Sequence, residues 1–277
     1  MGSGMARRLI GAGHTVRVWN RSPEPVAELV EAGAVAAESP EQALAAPVSF
    51  SMLANDAAAE AVLGDAASTV SGGIHVNMAS ISPAAADRIS ARFTEAGAAY
   101  VAAPVLGRPD VAAAGKLNIL AAGAPASVDA VLPYLEVLGA RVWRLGENPS
   151  MANGVKVSVN YNIIHALQAL GESVAMVERQ GVDPELFVEL LTSSLFGGVV
   201  YTGYGNQIAQ RRYTPPGFRM ELGRKDLKLA EDVAAAGNVR LASMPALTEV
   251  FERALADPEL SGSDWAAIAE VTRRDLL

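Results

Sequence analysis

Short runs of β-branched and other apolar residues alternate with alanine-rich stretches over the first half of the chain. Strands that alternate with helices of this length indicate βαβ units, so the pattern predicts a parallel sheet with helices on both faces. The predicted strands are Val16–Trp19, Val48–Met52, Ile74–Met78, Ala98–Val105, Leu117–Ala121 and Arg141–Leu145, and the predicted helices include Pro25–Glu31, Ala57–Leu63 and Pro83–Glu95.

The pattern changes at the polar turn segment Gly146–Pro149, which we take as a domain boundary. The sequence therefore predicts a parallel α/β domain at residues 1–148 and an all-helical domain at residues 149–277. The helix that opens the second domain, at about residues 151–180, has apolar residues nearly all round. A helix without a polar side is normally buried, so we expect it to lie between domains or between subunits.

The chain has 277 residues, a net charge of −8 at pH 7 and no cysteine, and 51% of its residues are hydrophobic. This composition excludes a disordered chain, and the lack of cysteine excludes disulfides, thiol nucleophiles and thiolate metal sites. No apolar run approaches the roughly 18 residues that a membrane span requires, and the first residues show no secretion signal. The acidic balance argues against nucleic acid as a partner. The sequence predicts a soluble, cytoplasmic protein.

The N-terminal residues match the interior of a dinucleotide-binding motif, which begins with a strand, a Gly-x-Gly-x-x-Gly turn and a helix. Residues 5–12 are predicted to form that helix, and residues 15–19 the second strand. Gly2 would then be the last glycine of the motif, and the first strand and two glycines would precede Met1. We therefore expect the domain to lack its first strand. The glycines alone do not distinguish this arrangement from an ordinary N-terminal helix.

A second cofactor signal follows the predicted second strand. NAD-binding domains usually carry Asp or Glu there, about 20 residues after the glycines, to bind the ribose 2′-hydroxyl. This chain instead has Asn20, Arg21 and Ser22. Arginine suits a 2′-phosphate and no carboxylate repels it, so the segment predicts NADP, with NADPH preferred over NADH. The alternative is a solvated arginine at a turn.

Lys156 and Asn160 lie four residues apart on the predicted long helix. At 100° per residue, their side chains project within about 40° of each other. A lysine within an apolar helix can protonate a developing alkoxide while the amide holds the substrate oxygen. The alternative is a lysine whose stem packs while its ammonium reaches solvent. His165 is assigned a packing role on the opposite side, and with His14 and His75 it forms no cluster for a metal.

Residues 216–227 combine a turn with a helix start. Within this segment, Lys225 and Asp226 could form a surface ion pair worth under about 1 kcal/mol. Alternatively, Lys225 could reach a phosphate or ribose of the cofactor. Periodicity does not decide between the two.

Taken in order, these segments resemble the β-hydroxyacid dehydrogenase family, which includes 3-hydroxyisobutyrate dehydrogenases and glyoxylate/succinic semialdehyde reductases. The resemblance covers nearly the whole chain. Its motifs are Met1-Gly2-Ser3-Gly4-Met5-Ala6 with Gly13-His14-Thr15-Val16 and Trp19-Asn20-Arg21, Ser51-Met52-Leu53, Asn77-Met78-Ala79-Ser80-Ile81-Ser82-Pro83, Ala103-Pro104-Val105-Leu106-Gly107 with Ala114-Gly115-Lys116-Leu117, Asn153-Gly154-Val155-Lys156 with Asn160, and Phe218 with Lys225 and Asp226.

The resemblance implies a Rossmann-type domain followed by an all-helical domain joined by a long helix, with homodimers or homotetramers formed through the helical part. It implies that Lys156 is the proton donor, and it implies no metal. The residues implied to bind the substrate are Ser80, Leu106, Gly107, Arg108, Asn160, Phe218 and Asp226. The residues implied to bind the cofactor are Met1, Gly2, Asn20, Arg21, Ser22, Met52, Leu53, Ser80 and Lys225.

The chain departs from the family pattern beside the expected substrate. Leu106 stands where the family has the serine that binds the substrate carboxylate, and Arg108 stands where glycine is common. An apolar side chain with a nearby cation predicts a different or larger substrate than 3-hydroxyisobutyrate. Ser150 and Ala152 replace glycines before the lysine, which narrows the room expected beside the nicotinamide.

These observations together predict an NADPH-dependent oxidoreductase that reduces a small aldehyde or ketone, or oxidises the corresponding β-hydroxy acid. An imine remains an alternative substrate. A further alternative is a non-catalytic, oligomeric binding protein that keeps the fold. Oxidation of a hydroxy acid with NAD is disfavoured by Asn20 and Arg21.

Overall fold

The computed structural model describes residues 1–70 and 72–276. Its first compact unit, Met1–Lys156, contains short strands that alternate with helices, as predicted. Its elements are α1 (Gly2–Gly11), β1 (Arg17–Val18), α2 (Glu24–Glu31), β2 (Val35–Ala36), α3 (Pro40–Leu44), β3 (Val48–Ser51), α4 (Asp56–Ala66), β4 (Ile74–Asn77), α5 (Pro83–Glu95), β5 (Ala99–Ala102), β6 (Val105–Leu106), α6 (Pro109–Ala113), β7 (Leu117–Ala121), α7 (Pro125–Leu138) and β8 (Gly139–Arg144), with α8 beginning at Ser150.

The described strands form three sheets, and an isolated antiparallel bridge between Ala102 of β5 and Ala122 connects the second sheet to the third. β1 pairs with β2 in parallel, and β3, β4 and β5 pair in parallel in that order. β7 pairs with β6 in the antiparallel direction and with β8 in the parallel direction. Helices cover the parallel strands, which confirms the predicted α/β class and its Rossmann-type first domain.

The predicted strand Ala98–Val105 is wrong as a single element. The structure has β5 ending at Ala102 and β6 beginning at Val105. Pro104, which lies between them, has no N–H with which to continue a ladder. Its carbonyl oxygen accepts a hydrogen bond from the backbone N–H of Leu120, at 2.9 Å. The chain therefore changes its partner from β4 to β7 at this proline.

A cavity of about 650 Å³ lies beside β1 and β3. The residues that line it include Val16–Trp19 on one side, Val48–Met52 on the other, and Met5 and Leu9 of α1. Because β1 pairs only with β2, and β3 only with β4, each strand has a second backbone edge without a ladder partner among the described residues. A strand placed between β1 and β3 would pair with both of these edges.

The dimensions of the cavity suit one short strand. At a rise of about 3.3 Å, a strand spacing of about 4.8 Å and a layer thickness of about 10 Å, one strand residue fills roughly 160 Å³. The cavity therefore matches about four residues. A Cβ atom added to Gly2 would lie 3.7 Å from the Cβ of Met52, which follows β3 directly, so α1 begins at the carboxyl end of β3. A strand joined to α1 at that end would run parallel to β3.

The second compact unit, Val157–Leu277, is helical throughout its described residues, as predicted. Its core includes Leu167, Leu170, Phe251 and Trp265, all nearly inaccessible to solvent. Its elements are the remainder of α8 (Ser150–Arg179), α9 (Pro184–Ser194), α10 (Val199–Ala209), α11 (Met220–Ala236), α12 (Met244–Ala256), a 3-10 turn (Trp265–Ile268) and α13 (Ala269–Arg273).

The division between the units falls within α8, between Lys156 and Val157, whereas the sequence places it at 148/149. The first turns of α8 belong to the first unit because Ala152 is fully buried in one of that unit's apolar clusters. Val155 and Met176 are exposed in the single chain, so the described residues cover only one side of α8. That α8 lies between domains or between subunits stays a prediction.

We expect the cavity beside β1 and β3 to accept a fused strand. A five-residue Val/Ile segment and a Gly-Ser-Gly turn, joined ahead of Gly2, should raise the melting temperature by several degrees, because the strand would pair with both open edges. About 1 kcal/mol corresponds to roughly 2–4 °C for a domain of 150–250 residues. The control extension carries proline at two central strand positions, which removes the N–H donors. Equal melting temperatures for both extensions in calorimetry would contradict the expectation.

Candidate functional site

The predicted cofactor-binding residues of the first unit lie where strands end. Asn20, Arg21 and Ser22 follow β1, Met52 and Leu53 follow β3, and Ser80 follows β4. Since β3 and β4 are parallel, their carboxyl ends lie at the same edge of the sheet. Ligands of open α/β sheets bind outside this edge.

The N-terminus of α1 lies at the same edge, beside Met52. Met1 is its N-cap, no side chain caps its first turn, and the first turn contains no acidic residue. Such a helix end presents backbone N–H groups and the positive end of the helix dipole, both of which suit a diphosphate. The residues present at Gly2 and Ser3 therefore fit the phosphates of a dinucleotide.

The segment after β1 is open to solvent. Asn20, Arg21 and Ser22 are all exposed, and the Asn20 amide donates a hydrogen bond to the Ser22 carbonyl at 2.9 Å, which shapes the turn. No carboxylate among the described residues forms an ion pair with Arg21. The guanidinium is thus available to an anionic group such as a 2′-phosphate.

Two contacts hold the loop that carries Ser80. On one side, Asp56 at the start of α4 accepts hydrogen bonds from the Ser82 backbone N–H at 2.9 Å and the Ser82 hydroxyl at 2.5 Å. On the other side, the Asn153 amide of α8 donates to the Ile81 carbonyl at 3.2 Å. The half-buried Ser80 is therefore fixed between α4 and α8.

The segment Leu106–Arg108 is shaped by a glycine. Gly107 has a φ of +147°, and a Cβ atom there would lie 2.7 Å from a methyl carbon of Leu117, so only glycine fits. Leu106 is half-buried and packs, like Leu53, on the apolar cluster that contains Ile81 and Ala152. The structure thus brings Leu53, Leu106 and the Ser80 loop to one place, with Arg108 at the start of α6.

Helix α8 carries a buried polar stripe. Asn153, Lys156 and Asn160 are only 2%, 9% and 5% exposed. Their spacing of three and then four residues places all three within about 60° of one another around the helix. The sequence analysis includes Asn153 in a family motif but assigns it no role, although this spacing was visible in the sequence. The Lys156 side chain does not extend into bulk solvent, which disfavours the alternative of an exposed ammonium.

In the second unit, Asp226 connects two of the predicted residues. The Asn160 amide donates to one Asp226 carboxylate oxygen at 2.5 Å, and the Lys225 ammonium lies 3.2 Å from the other. The alternative of a plain surface ion pair between Lys225 and Asp226 is wrong, because the Asp226 side chain is 2% exposed. The carboxylate is buried where it can hold the amide and the ammonium together.

The position of Phe218 depends on Asp264, which the sequence analysis missed. One carboxylate oxygen of the fully buried Asp264 accepts the backbone N–H groups of Gly217 and Phe218, each at 2.9 Å. The Phe218 ring packs on Trp265, with ring centroids 4.6 Å apart. Forty-six residues separate Asp264 from Phe218, so no local sequence signal indicates this contact.

The histidines have structural surroundings. His75 lies between the hydroxyls of Ser49 and Ser51, each 2.9 Å from a ring nitrogen, and burial lowers its pKa to about 3. His165 contacts the Ser243 hydroxyl at 2.7 Å, in line with its assigned packing role, and His14 lies against Tyr134. The described residues contain no group of side chains that could hold a metal ion. They also contain no helix long and apolar enough to cross a bilayer.

Comparison with known proteins matches two successive parts of the chain to known families. Residues 1–146 match the family described as the NAD binding domain of 6-phosphogluconate dehydrogenase. Residues 151–272 match the family described as the NAD-binding of NADP-dependent 3-hydroxyisobutyrate dehydrogenase.

Similar proteins match along almost their whole length. The chain is 35% identical over 273 residues to an uncharacterized oxidoreductase, YfjR, of Bacillus subtilis, covering 97% of this chain and 95% of the relative. It is 29% identical to glyoxylate/succinic semialdehyde reductase 1 of Arabidopsis thaliana, covering 99% and 95%. The solved structure of Psf3 in complex with NADP⁺ and 2-OPP has a TM-score of 0.87 at 25% identity, covering 98% and 96%.

Proposed function

The chain belongs to the β-hydroxyacid dehydrogenase family of NAD(P)-dependent oxidoreductases, and from this premise we propose that it is an NADPH-dependent reductase of a small aldehyde or ketone. The observation that carries the proposal is the buried Lys156, which shares one side of α8 with Asn153 and Asn160. A buried ammonium between two amides suits proton donation to a developing alkoxide.

A nicotinamide dinucleotide held at this site would supply the hydride that the carbonyl carbon receives. Lys156 gives a proton from its Nζ to the carbonyl oxygen, so the product is an alcohol and the lysine is left neutral until solvent restores its proton. Asn160 orients the same oxygen through its side-chain amide, which also donates a hydrogen bond to Asp226. The N-terminus of α1, the segment Asn20–Ser22, Met52, Leu53 and Ser80 hold the dinucleotide on the first unit. The family resemblance assigns Lys225 to the cofactor as well.

The substrate end of the proposed site combines apolar and cationic groups. Leu106 gives an apolar surface, the Gly107 backbone allows close approach, and Arg108 binds a carboxylate where the substrate carries one. The family resemblance assigns Phe218 and Asp226 to the substrate as well. This set favours a substrate larger than 3-hydroxyisobutyrate, and an assay panel of aldehydes, ketones and imines distinguishes these classes.

We expect Lys156→Met to lower kcat by about 10²- to 10⁴-fold, the usual contribution of a general acid, while the Kd for NADPH changes little. The measurement follows NADPH absorbance with the carbonyl panel, and fluorescence titration gives the Kd. The control is Lys228→Met, which removes a lysine of α11 that is half exposed and paired with Asp232. Equal rates for parent and Lys156→Met would remove Lys156 from the mechanism, and failure of the parent to bind NADPH would favour the non-catalytic alternative.

We expect Arg21→Ala to raise the Kd for NADPH by roughly 10- to 100-fold, since a hydrogen bond to a charged group is worth about 1.5–3 kcal/mol. The Kd for NADH should change less than threefold. Arg144→Ala is the matched control, because Arg144 is also an exposed arginine of the first unit but pairs with Asp129. If both cofactors weaken to the same degree, Arg21 does not read the 2′-phosphate.

The second unit presents an apolar surface that favours self-association. Leu186 and Leu190 of α9 are 59% and 61% exposed, and Leu195 and Val199 beyond them are 84% and 90% exposed. Exposed apolar patches of this kind are typical of interfaces. We propose that homodimers or homotetramers form through this surface.

We expect the double variant Leu186→Glu, Leu190→Glu to shift the particle mass in light scattering to that of a single chain, because two buried carboxylates would oppose association. Val239→Glu, at a position that is also exposed but lies beyond α11, should leave the mass unchanged. A parent protein that already scatters as a monomer at assay concentration would refute the proposal.

A further inference from the structure

Only one of the two polar atoms of the Asn153 side-chain amide forms a hydrogen bond within the described residues. Its Nδ2 donates to the Ile81 carbonyl at 3.2 Å, while its Oδ1 is buried and has no hydrogen-bond donor among the described residues. The orientation is determined by that contact, because the opposite orientation would place two oxygens against each other. Buried acceptors without a donor are uncommon in folded proteins. This oxygen is therefore a candidate acceptor for a hydrogen bond from a ligand.

The position of Asn153 connects two parts of the proposed reductase site. It lies one turn before Lys156 on the same side of α8, and both residues belong to the first unit. The carbonyl that it holds is next to Ser80 in the loop between β4 and α5. Asp56 fixes the other end of that loop through Ser82. Asn153 is therefore the direct link between the helical turn of Lys156 and the loop of Ser80.

We propose that Asn153 is a positioning residue that keeps Lys156 in register with the Ser80 loop, and that its Oδ1 accepts a hydrogen bond from the bound dinucleotide. The nicotinamide carboxamide supplies the N–H donors that this oxygen lacks. The proposal rests on the proposed function, in which Lys156 is the proton donor and Ser80 contacts cofactor and substrate. The Nδ2 and Oδ1 atoms of Asn153 have separate roles in this proposal, so substitutions can remove one role or both.

Two variants separate these tasks. Asn153→Asp keeps acceptor oxygens but loses the N–H that holds Ile81, and it adds a negative charge one turn from Lys156. We expect kcat to fall by roughly tenfold to a hundredfold, the usual effect of a misplaced reacting group, with the Kd for NADPH within threefold of the parent. The added carboxylate should also move the alkaline limb of the kcat–pH profile upward. Asn153→Leu removes both tasks and should weaken NADPH at least tenfold as well.

Asn162 provides a matched control on the same helix. It is exposed, and its amide also donates to a backbone carbonyl, that of Ser158 at 3.0 Å. Asn162→Asp and Asn162→Leu should leave kcat, the pH profile and the Kd for NADPH unchanged. Thermal denaturation of each variant establishes whether it is folded. If Asn153→Leu is not folded, the test relies on Asn153→Asp.

Hydrogen exchange of the segment 79–82 gives a readout that does not depend on turnover. Both Asn153 variants should increase exchange at this segment, and NADPH should slow it less than in the parent. If exchange changes as expected but Lys156→Met retains full activity, the proposed function fails while the link to the Ser80 loop stands. Unchanged exchange together with parental kcat in folded Asn153→Leu would overturn the proposal.

Discussion

The need to satisfy polar groups buried on helix α8 governs the arrangement of the candidate site. A buried amide or ammonium without partners costs several kcal/mol, so an apolar helix tolerates Asn153, Lys156 and Asn160 only where other elements supply contacts. The Asn153 amide donates a hydrogen bond to the Ile81 carbonyl, and the Asn160 amide donates one to the Asp226 carboxylate. The loop after β4 and the first turns of α11 are thereby each attached to this helix within their own unit. The requirement for partners thus determines which element packs against each of the two asparagines.

The parallel strands supply the other half of the arrangement. Because β3, β4 and β5 run in one direction, the segments that follow β3 and β4 emerge at one edge, and the start of α1 lies there too. Asp56 then ties the segment after β3 to the one after β4 through Ser82. The site is therefore held by short contacts between neighbouring loops. The cavity beside β1 and β3 weakens this support at one place, since two strand edges there lack ladder partners.

Local signals in the sequence predict some elements closely. Helix α5 has the predicted bounds because Ser82 caps its N-terminus and Pro83 occupies its first turn, and both features are visible in the sequence. Strand β7 also has the predicted bounds. Strand β2 was not predicted because its two residues are both exposed and carry no alternating pattern.

Residues whose role depends on a distant partner were harder to predict. The spacing of Asn153 on α8 was visible, but its partner Ile81 lies 72 residues away. The position of Asp264 before a helical turn indicates a capping role, and one of its carboxylate oxygens has that role. Its second carboxylate oxygen fixes the loop that carries Phe218, which the sequence does not indicate. Sequence reasoning therefore selects as candidates the residues with chemical groups of obvious use, Lys156 and Ser80 among them. It missed the residues that hold them, because their partners are set by the fold.

Local charge also explains how an acidic chain can use an anionic cofactor. The net charge is −8, yet the residues proposed for binding include the cations Arg21, Arg108 and Lys225, and the proposed proton donor is Lys156. At physiological salt, charges more than about 8 Å apart are largely screened when exposed, so the overall acidity acts weakly at the site. The interactions of nearby cations are screened much less where their surroundings are partly buried, as they are for Lys156 and Lys225. On the proposed function, binding of the cofactor therefore depends on the sign of the nearest charged groups more than on the net charge.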